Sequence, residues 1–182
     1  MAAGQTCLWF GLSALALLLA LAATARAEPV RLAALTGPSG AARETLDSQR
    51  ELDCLALNIY WEARSEPRVG QLAVAAVVLN RVADPAFPDT ICDVVTEGAE
   101  HGRHRCQFSW HCDGEKDQPG NPAAWENALS VARLALGGAQ DDPSRGALWY
   151  HSDRVRPAWS RNMAVIARIG GHLFYREWAA AR

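Results

Sequence analysis

The sequence predicts a single α+β domain, mainly helical, with a small β-hairpin near its C-terminus. Three observations carry that expectation. Apolar residues recur at helical spacing within residues 52–60 and 125–136, and residues 71–82 are apolar nearly all round, as in a core helix. Two short strand-like runs, 165–169 and 172–176, flank Gly170-Gly171, a dipeptide suited to the positive φ of a tight turn. The chain has 182 residues, 49% of them hydrophobic and 21% charged, which suits one globular core.

Ahead of that domain lies a segment of another kind. Residues 7–23 are an almost unbroken apolar run, followed by Ala25-Arg26-Ala27, a small-x-small sequence of the type at which exported chains are cut. Residues 1–27 are therefore expected to be a signal peptide. The chain is expected in the periplasm or cell envelope, with no stable membrane insertion after cleavage. The run is about as long as a short membrane span, so an uncleaved N-terminal anchor is the alternative, but the polar, Pro- and Gly-containing stretch behind it favours removal. Cleavage takes one charged side chain, Arg26, from 18 basic and 20 acidic ones and leaves a net −3. That balance excludes a strongly basic nucleic-acid binder. Residues 28–49 mix Pro, Gly, Ser and Ala without a sustained apolar period and read as a flexible leader, with the folded domain over residues 50–178.

Within the domain, Leu52, Leu55, Ala56, Ile59 and Tyr60 mark a helix with one buried stripe, which Pro67 is expected to end. After Gly70, QLAVAAVVLNRV is apolar nearly all round and reads as a core helix, with Ala73, Ala75 and Ala76 allowing close approach of neighbours and no room left for catalysis. Pro85 and Pro88 impose a turn-rich connection before a short apolar run at residues 91–95. Asn121-Pro122 is an N-cap followed by proline at the first helical position, and Gly137-Gly138 stops the third helix. Residues 147–151 form a short aromatic, strand-like run.

Residues 96–120 are loop-like, and a loop of that length inside a compact domain is usually functional or cross-linked. Once Cys7 is removed, Cys54, Cys92, Cys106 and Cys112 remain, an even number in a chain addressed to an oxidising compartment. Four cysteines allow three pairings. The close trio 92, 106 and 112 points to at least one bridge pinning the loop. His101, His104 and His111 lie in the same stretch, but export and the absence of a paired C-x-x-C or H-E-x-x-H spacing argue against zinc. No metal and no cofactor is expected.

The sharpest constellation is NIYWEARSEP, residues 58–67, which sets Glu62 near the C-terminal end of an amphipathic helix beside Tyr60 and Trp61. A carboxyl walled by apolar side chains has a raised pKa and suits a general acid. If the helix persists to Glu66, four residues on, that second charge pushes in the same direction. By pattern alone, Glu62 serves equally as an ion-pair partner of Arg64 or Arg68 on a solvated face. Gln107, Phe108, Ser109 and Trp110 form a polar and aromatic strip suited to stacking on sugar faces, or equally to packing beside a disulfide. Tyr150 and His151 follow in the strand-like run, where the histidine also fits as a satisfied core residue.

NIYWEARSEPRVGQLAVAAVVLNRV, PDTICDVV, CQFSWHCDG, ALWYHS, VRPAWS and IGGHLFY, in that order, resemble the successive blocks of the SleB-type (spore-cortex-lytic) cell wall hydrolases over roughly residues 50–176. The resemblance implies a lysozyme-like, lytic-transglycosylase-like α-rich domain. It also implies peptidoglycan glycan strands as the partner and lytic cleavage, by transglycosylation, between N-acetylmuramic acid and N-acetylglucosamine with one glutamate as general acid and base. The one essential glutamate of the Y-x-E-A-R block falls on Glu62, and Tyr60, Gln107, Phe108, Ser109, Trp110, Tyr150 and His151 are expected along the substrate groove. A hydrolytic muramidase on the same groove and a non-catalytic peptidoglycan-binding domain are the alternatives. Ser65, Trp110 and Ser152 depart from the commonest family wording, which leaves subsite shape open.

Overall fold

A computed structural model describes residues 40–138 and 141–178, all within the compact unit that begins at Pro38. The expected signal peptide, residues 1–27, lies outside the described residues. Four helices, α1 (Gly40–Ala63), α2 (Arg68–Val82), α3 (Ile91–Thr96) and α4 (Pro122–Leu136), precede three strands, β1 (Trp149–Ser152), β2 (Met163–Ile169) and β3 (His172–Glu177). None of the described helices is long and apolar enough to cross a membrane.

Helix α1 is the central post. Its apolar stripe, Leu52, Leu55, Ala56, Ile59 and Tyr60, is buried among α2, α3 and α4, as the spacing predicts. The helix spans Gly40–Ala63, so residues 40–49, expected as a flexible leader, are helical. Residues 43–50 of this extension are exposed. Local bonds hold it, Ser48 Oγ to the Glu44 carbonyl and Gln49 Nε2 to Asp53 Oδ1, each at 2.8 Å. Such backbone-local support needs no apolar period, which is why the sequence pattern does not reveal it.

The other end of α1 also differs from expectation. The helix stops at Ala63, and Pro67 starts α2 instead of ending α1: its carbonyl accepts from Gly70 N and Gln71 N at 2.7 and 3.1 Å. Proline suits the first turn of a helix because its missing N–H has no partner there. α3 is tied to α1 by the Cys54–Cys92 disulfide and by Glu51 Oε2, which accepts from Ile91 N at 2.6 Å. Cys106 bonds Cys112 and closes the loop ahead of α4. Asn121 Oδ1 caps α4 by accepting from Ala124 N at 3.1 Å.

The expected hairpin is present, and β1 enlarges it to an antiparallel sheet of order β1-β3-β2, with a bulge between Val165 and Ala167. Phe174 lies in a second apolar cluster with Ala63, Ala73, Val74, Val77 and Ala147, which seats the sheet on α2 and the end of α1. Glu66, from the α1–α2 corner, holds the turn: its Oε2 accepts from Gly171 N at 2.8 Å. A Cβ at Gly170, where φ is +56°, would overlap the Glu66 carboxylate. Gly138 has a similar φ of +63° but open space around it. Gly170→Ala is therefore expected to cost more than the roughly 1–2 kcal/mol of left-handed backbone strain, and Gly138→Ala only that strain. Equal losses in denaturant unfolding would contradict the Glu66 contact.

Candidate active site

Glu62 occupies the penultimate position of α1, one residue before Ala63 enters the cluster beneath the sheet. Asn58, one turn earlier on the same face, is wholly buried. Tyr150, in β1, packs against both apolar clusters. The carboxyl thus stands at the seam between helices and sheet.

Two cavities meet at this point. One, of about 410 Å³, is walled by Arg81, Gln107, Phe108, Trp149 and Trp159. The other, of about 630 Å³, is walled by Trp61, Glu66, Trp110, Arg154 and His172. Glu62, Ser109 and Tyr150 border both, so the cavities are two halves of one groove with the carboxyl at their junction. Each half falls in the size range of ligand sites.

Burial raises the Glu62 pKa, and the neighbouring Tyr150 hydroxyl pulls it partly back. Burial, then the charge of Glu62, lifts the Tyr150 pKa well above its ordinary value, so the phenol keeps its proton. Among the described residues that hydroxyl has no hydrogen bond of ordinary geometry, although Glu62 and Asn58 are near enough to influence it. Asn58 Nδ2, Trp61 Nε1 and Arg81 Nη1 are likewise buried without a hydrogen-bond partner among the described residues, as is His172 Nδ1, whose nearest acid is Glu66 Oε1 at the longer ion-pair distance of 3.8 Å, while Asn58 Oδ1 accepts from Trp110 Nε1 at 3.4 Å. Buried polar groups are normally paired. Four of these groups, on Trp61, Arg81, Tyr150 and His172, belong to residues lining the groove, so the groove is polar ground able to hold a ligand's oxygens.

The ion-pair alternative for Glu62 fails among the described residues. Arg64 lies over the Tyr60 and Trp61 rings at 5.0 and 5.3 Å, and neither it nor Arg68 forms a salt bridge with Glu62. Glu66 does not reinforce Glu62 as expected, because α1 ends before it and its carboxylate turns to Gly171 and His172. Gln107, Phe108, Ser109 and Trp110 do line the groove, with Trp110 stacked on Trp61 at 6.4 Å.

Tyr60 does not join them. Two residues before Glu62 is about 200° around a helix, and Tyr60 is 1% exposed, its hydroxyl accepting from Asn121 N at 3.1 Å. His151 borders the larger half, yet both of its ring nitrogens are engaged within the chain, Nδ1 with the Ser152 carbonyl at 2.8 Å and Nε2 with the Tyr175 hydroxyl at 2.7 Å.

Arg81 is the residue that sequence reasoning missed, since α2 was expected to leave no room for chemistry. Its guanidinium carbon lies 5.1 and 5.5 Å from the Phe87 and Phe108 ring centres, its Nε donates to the Leu148 carbonyl at 2.8 Å, and the side chain borders Glu62's smaller cavity. An arginine inside an otherwise apolar helical run was the available signal, because a buried charge needs specific partners.

A family model described as Cell Wall Hydrolase matches residues 65–175, a span that starts three residues after Glu62. The chain is 37% identical over 128 residues to a spore cortex-lytic enzyme of Halalkalibacterium halodurans and 36% identical to one of Bacillus subtilis, in each case over 70% of this chain. The aligned region is 35% and 38% of those relatives, so the chain spans well under half their length. Among solved structures it resembles the catalytic domain of the germination-specific lytic transglycosylase SleB from Bacillus anthracis, with TM-score 0.58, 33% identity, and coverage of 70% of this chain and 95% of that one. The catalytic domain of Bacillus cereus SleB matches with TM-score 0.54 and 32% identity, covering 70% and 91%.

A carboxyl whose folded pKa exceeds its unfolded value weakens the fold as pH rises through the folded pKa and leaves it unaffected below the unfolded one. Burial places Glu62 in that class. Glu62→Gln is therefore expected to raise the melting temperature at neutral pH, with the gain vanishing below about pH 4, under the ordinary glutamate range. A gain independent of pH, or a loss at neutral pH, would contradict the assignment.

Proposed function

The chain belongs to the cell wall hydrolase family, and on that premise we propose that it cuts peptidoglycan glycan strands between N-acetylmuramic acid and N-acetylglucosamine by lytic transglycosylation, with Glu62 as general acid and then base. The observation that carries the reading is the desolvated Glu62 carboxyl beside Tyr150 where two halves of a groove meet. A bond lying across that junction puts one sugar in each half and its bridging oxygen next to the proton.

Glu62 delivers its proton to the glycosidic oxygen as the bond to the muramyl anomeric carbon breaks. The muramyl 6-hydroxyl then attacks that carbon, its proton passes to the Glu62 carboxylate, and a 1,6-anhydro ring forms. The attacking group is part of the substrate, so no carboxylate nucleophile is required. The protonated Tyr150 hydroxyl stands ready to orient an acetamido group or to face the oxocarbenium-like charge.

The hydrolytic alternative uses water and ordinarily a second carboxylate. Two other carboxylates border the groove, and both are occupied: Glu66 accepts from Gly171 N, and Asp153 pairs with Arg168 at 3.0 Å. This favours the intramolecular route. Work on peptidoglycan places the protein outside the cytoplasm, and the N-terminal apolar run supplies the means of export to the periplasm or envelope.

Glu62→Gln is expected to lower release of soluble fragments from purified sacculi at least about a hundredfold, with the wild-type fragments carrying 1,6-anhydro ends in mass spectra. Reducing ends would indicate the hydrolytic muramidase, and binding without release a non-catalytic glycan-binding domain. Activity should fall as pH rises through the Glu62 pKa. Because the Tyr150 hydroxyl lowers that pKa, Tyr150→Phe should move the alkaline limb of the pH–rate profile upward; a downward move would contradict the pairing.

A further inference from the structure

The segment after β1 reverses the charge balance of the chain. Between His151 and Arg168, four arginines (154, 156, 161 and 168) stand against the single acid Asp153, a local +3 in a chain of −2. The fold gathers them beside the groove. Arg154 borders the larger half, while Arg156, Arg161 and Arg168 line a neighbouring cavity of about 520 Å³. His151 and Asp153 belong to the walls of both cavities, so the two open side by side at the end of β1.

Only one of these charges is neutralised. Arg168 Nη2 meets Asp153 Oδ2 at 3.0 Å. Arg154, Arg156 and Arg161 are exposed, and none takes part in a salt bridge among the described residues. The loop that carries them is braced: the Pro157 carbonyl accepts from Ser160 N at 3.1 Å and from Ser160 Oγ at 2.8 Å. Three exposed guanidinium groups lining two adjoining cavities, none ion-paired among the described residues, suit an anionic ligand, and carboxylates match the planar guanidinium fork.

We infer that Arg154, Arg156 and Arg161 form a carboxylate-binding lip that takes the peptide stems borne by the muramyl residue in the larger half of the groove. The inference rests on the glycan-strand reading above and adds the substrate group that those cations recognise. The stems carry free carboxylates, four extended residues reach about 13 Å, and the cavity lined by Arg156 and Arg161 shares His151 and Asp153 as its wall with the larger half of the groove, which Glu62 borders. Glycan strands with stems should therefore be held in preference to bare ones.

The test is equilibrium binding of the full chain, carrying Glu62→Gln to prevent turnover, to soluble glycan strands with stems and to the same strands stripped of them by an amidase. Stem-bearing strands are expected to bind roughly tenfold more tightly, the combined effect of two or three exposed guanidinium–carboxylate contacts. Arg156→Ala with Arg161→Ala should bring the ratio close to one at an unchanged melting temperature, as should high salt. A parent without stem preference, a variant with the parent's ratio, or a variant weakened equally on both strands would overturn the lip. Stem preference together with failure of the unmutated chain to cut sacculi would reject the cleavage reading and leave the lip standing.

Discussion

The desolvation of one carboxyl governs the arrangement around it. Glu62 sits where α1 runs out beneath the sheet, and burial there, only partly offset by the Tyr150 hydroxyl, favours its neutral form. A glutamate two residues further on would have left the helix, and one two residues earlier would face the core occupied by Tyr60. The chemistry proposed for the groove depends on that single position on the helix.

Holding the carboxyl there requires the sheet to stay on the helices, and the fixings are polar as well as apolar. Phe174 and Ala147 seat the sheet on α2. Arg81 Nε grips the Leu148 carbonyl just before β1, and Asn80 Nδ2 reaches the Ala147 carbonyl at 3.1 Å. Glu66 secures the hairpin turn from the α1–α2 corner. Adjacent residues 80 and 81 of α2 thus do for β1 what Glu66 does for the turn between β2 and β3. A helix that reads as featureless core in the sequence is the element that carries the groove wall.

Much of this was legible before any coordinates. The spacing of apolar residues located α1 and α4, an all-round apolar run located α2, the Asn121-Pro122 pair marked the start of α4, and Gly170-Gly171 marked the hairpin. These are local signals, written in period, caps and turns. What the sequence concealed is relational. Tyr60 looked like a groove aromatic because it lies close to Glu62 in the chain, whereas helical rotation sends it to the core. Glu66 looked like a second charge for Glu62, but the chain breaks helix at Ala63 and redirects it to Gly171. β1 joins β3 across a long connection, and Arg81 becomes a groove residue only through contacts with Phe108 and Leu148. The expected groove strip 107–110 does border the cavities, although no periodicity could have said which of its side chains face inward.

The chemistry proposed for the groove requires an elevated Glu62 pKa. Carbon-13 NMR titration of that side-chain carboxyl, assigned by comparison with Glu62→Gln, measures it directly. The account predicts a midpoint clearly above the ordinary glutamate value of 4.5. A midpoint at or below that value would mean that the carboxyl is solvated and ionised where a neutral proton donor is required, and would contradict the account.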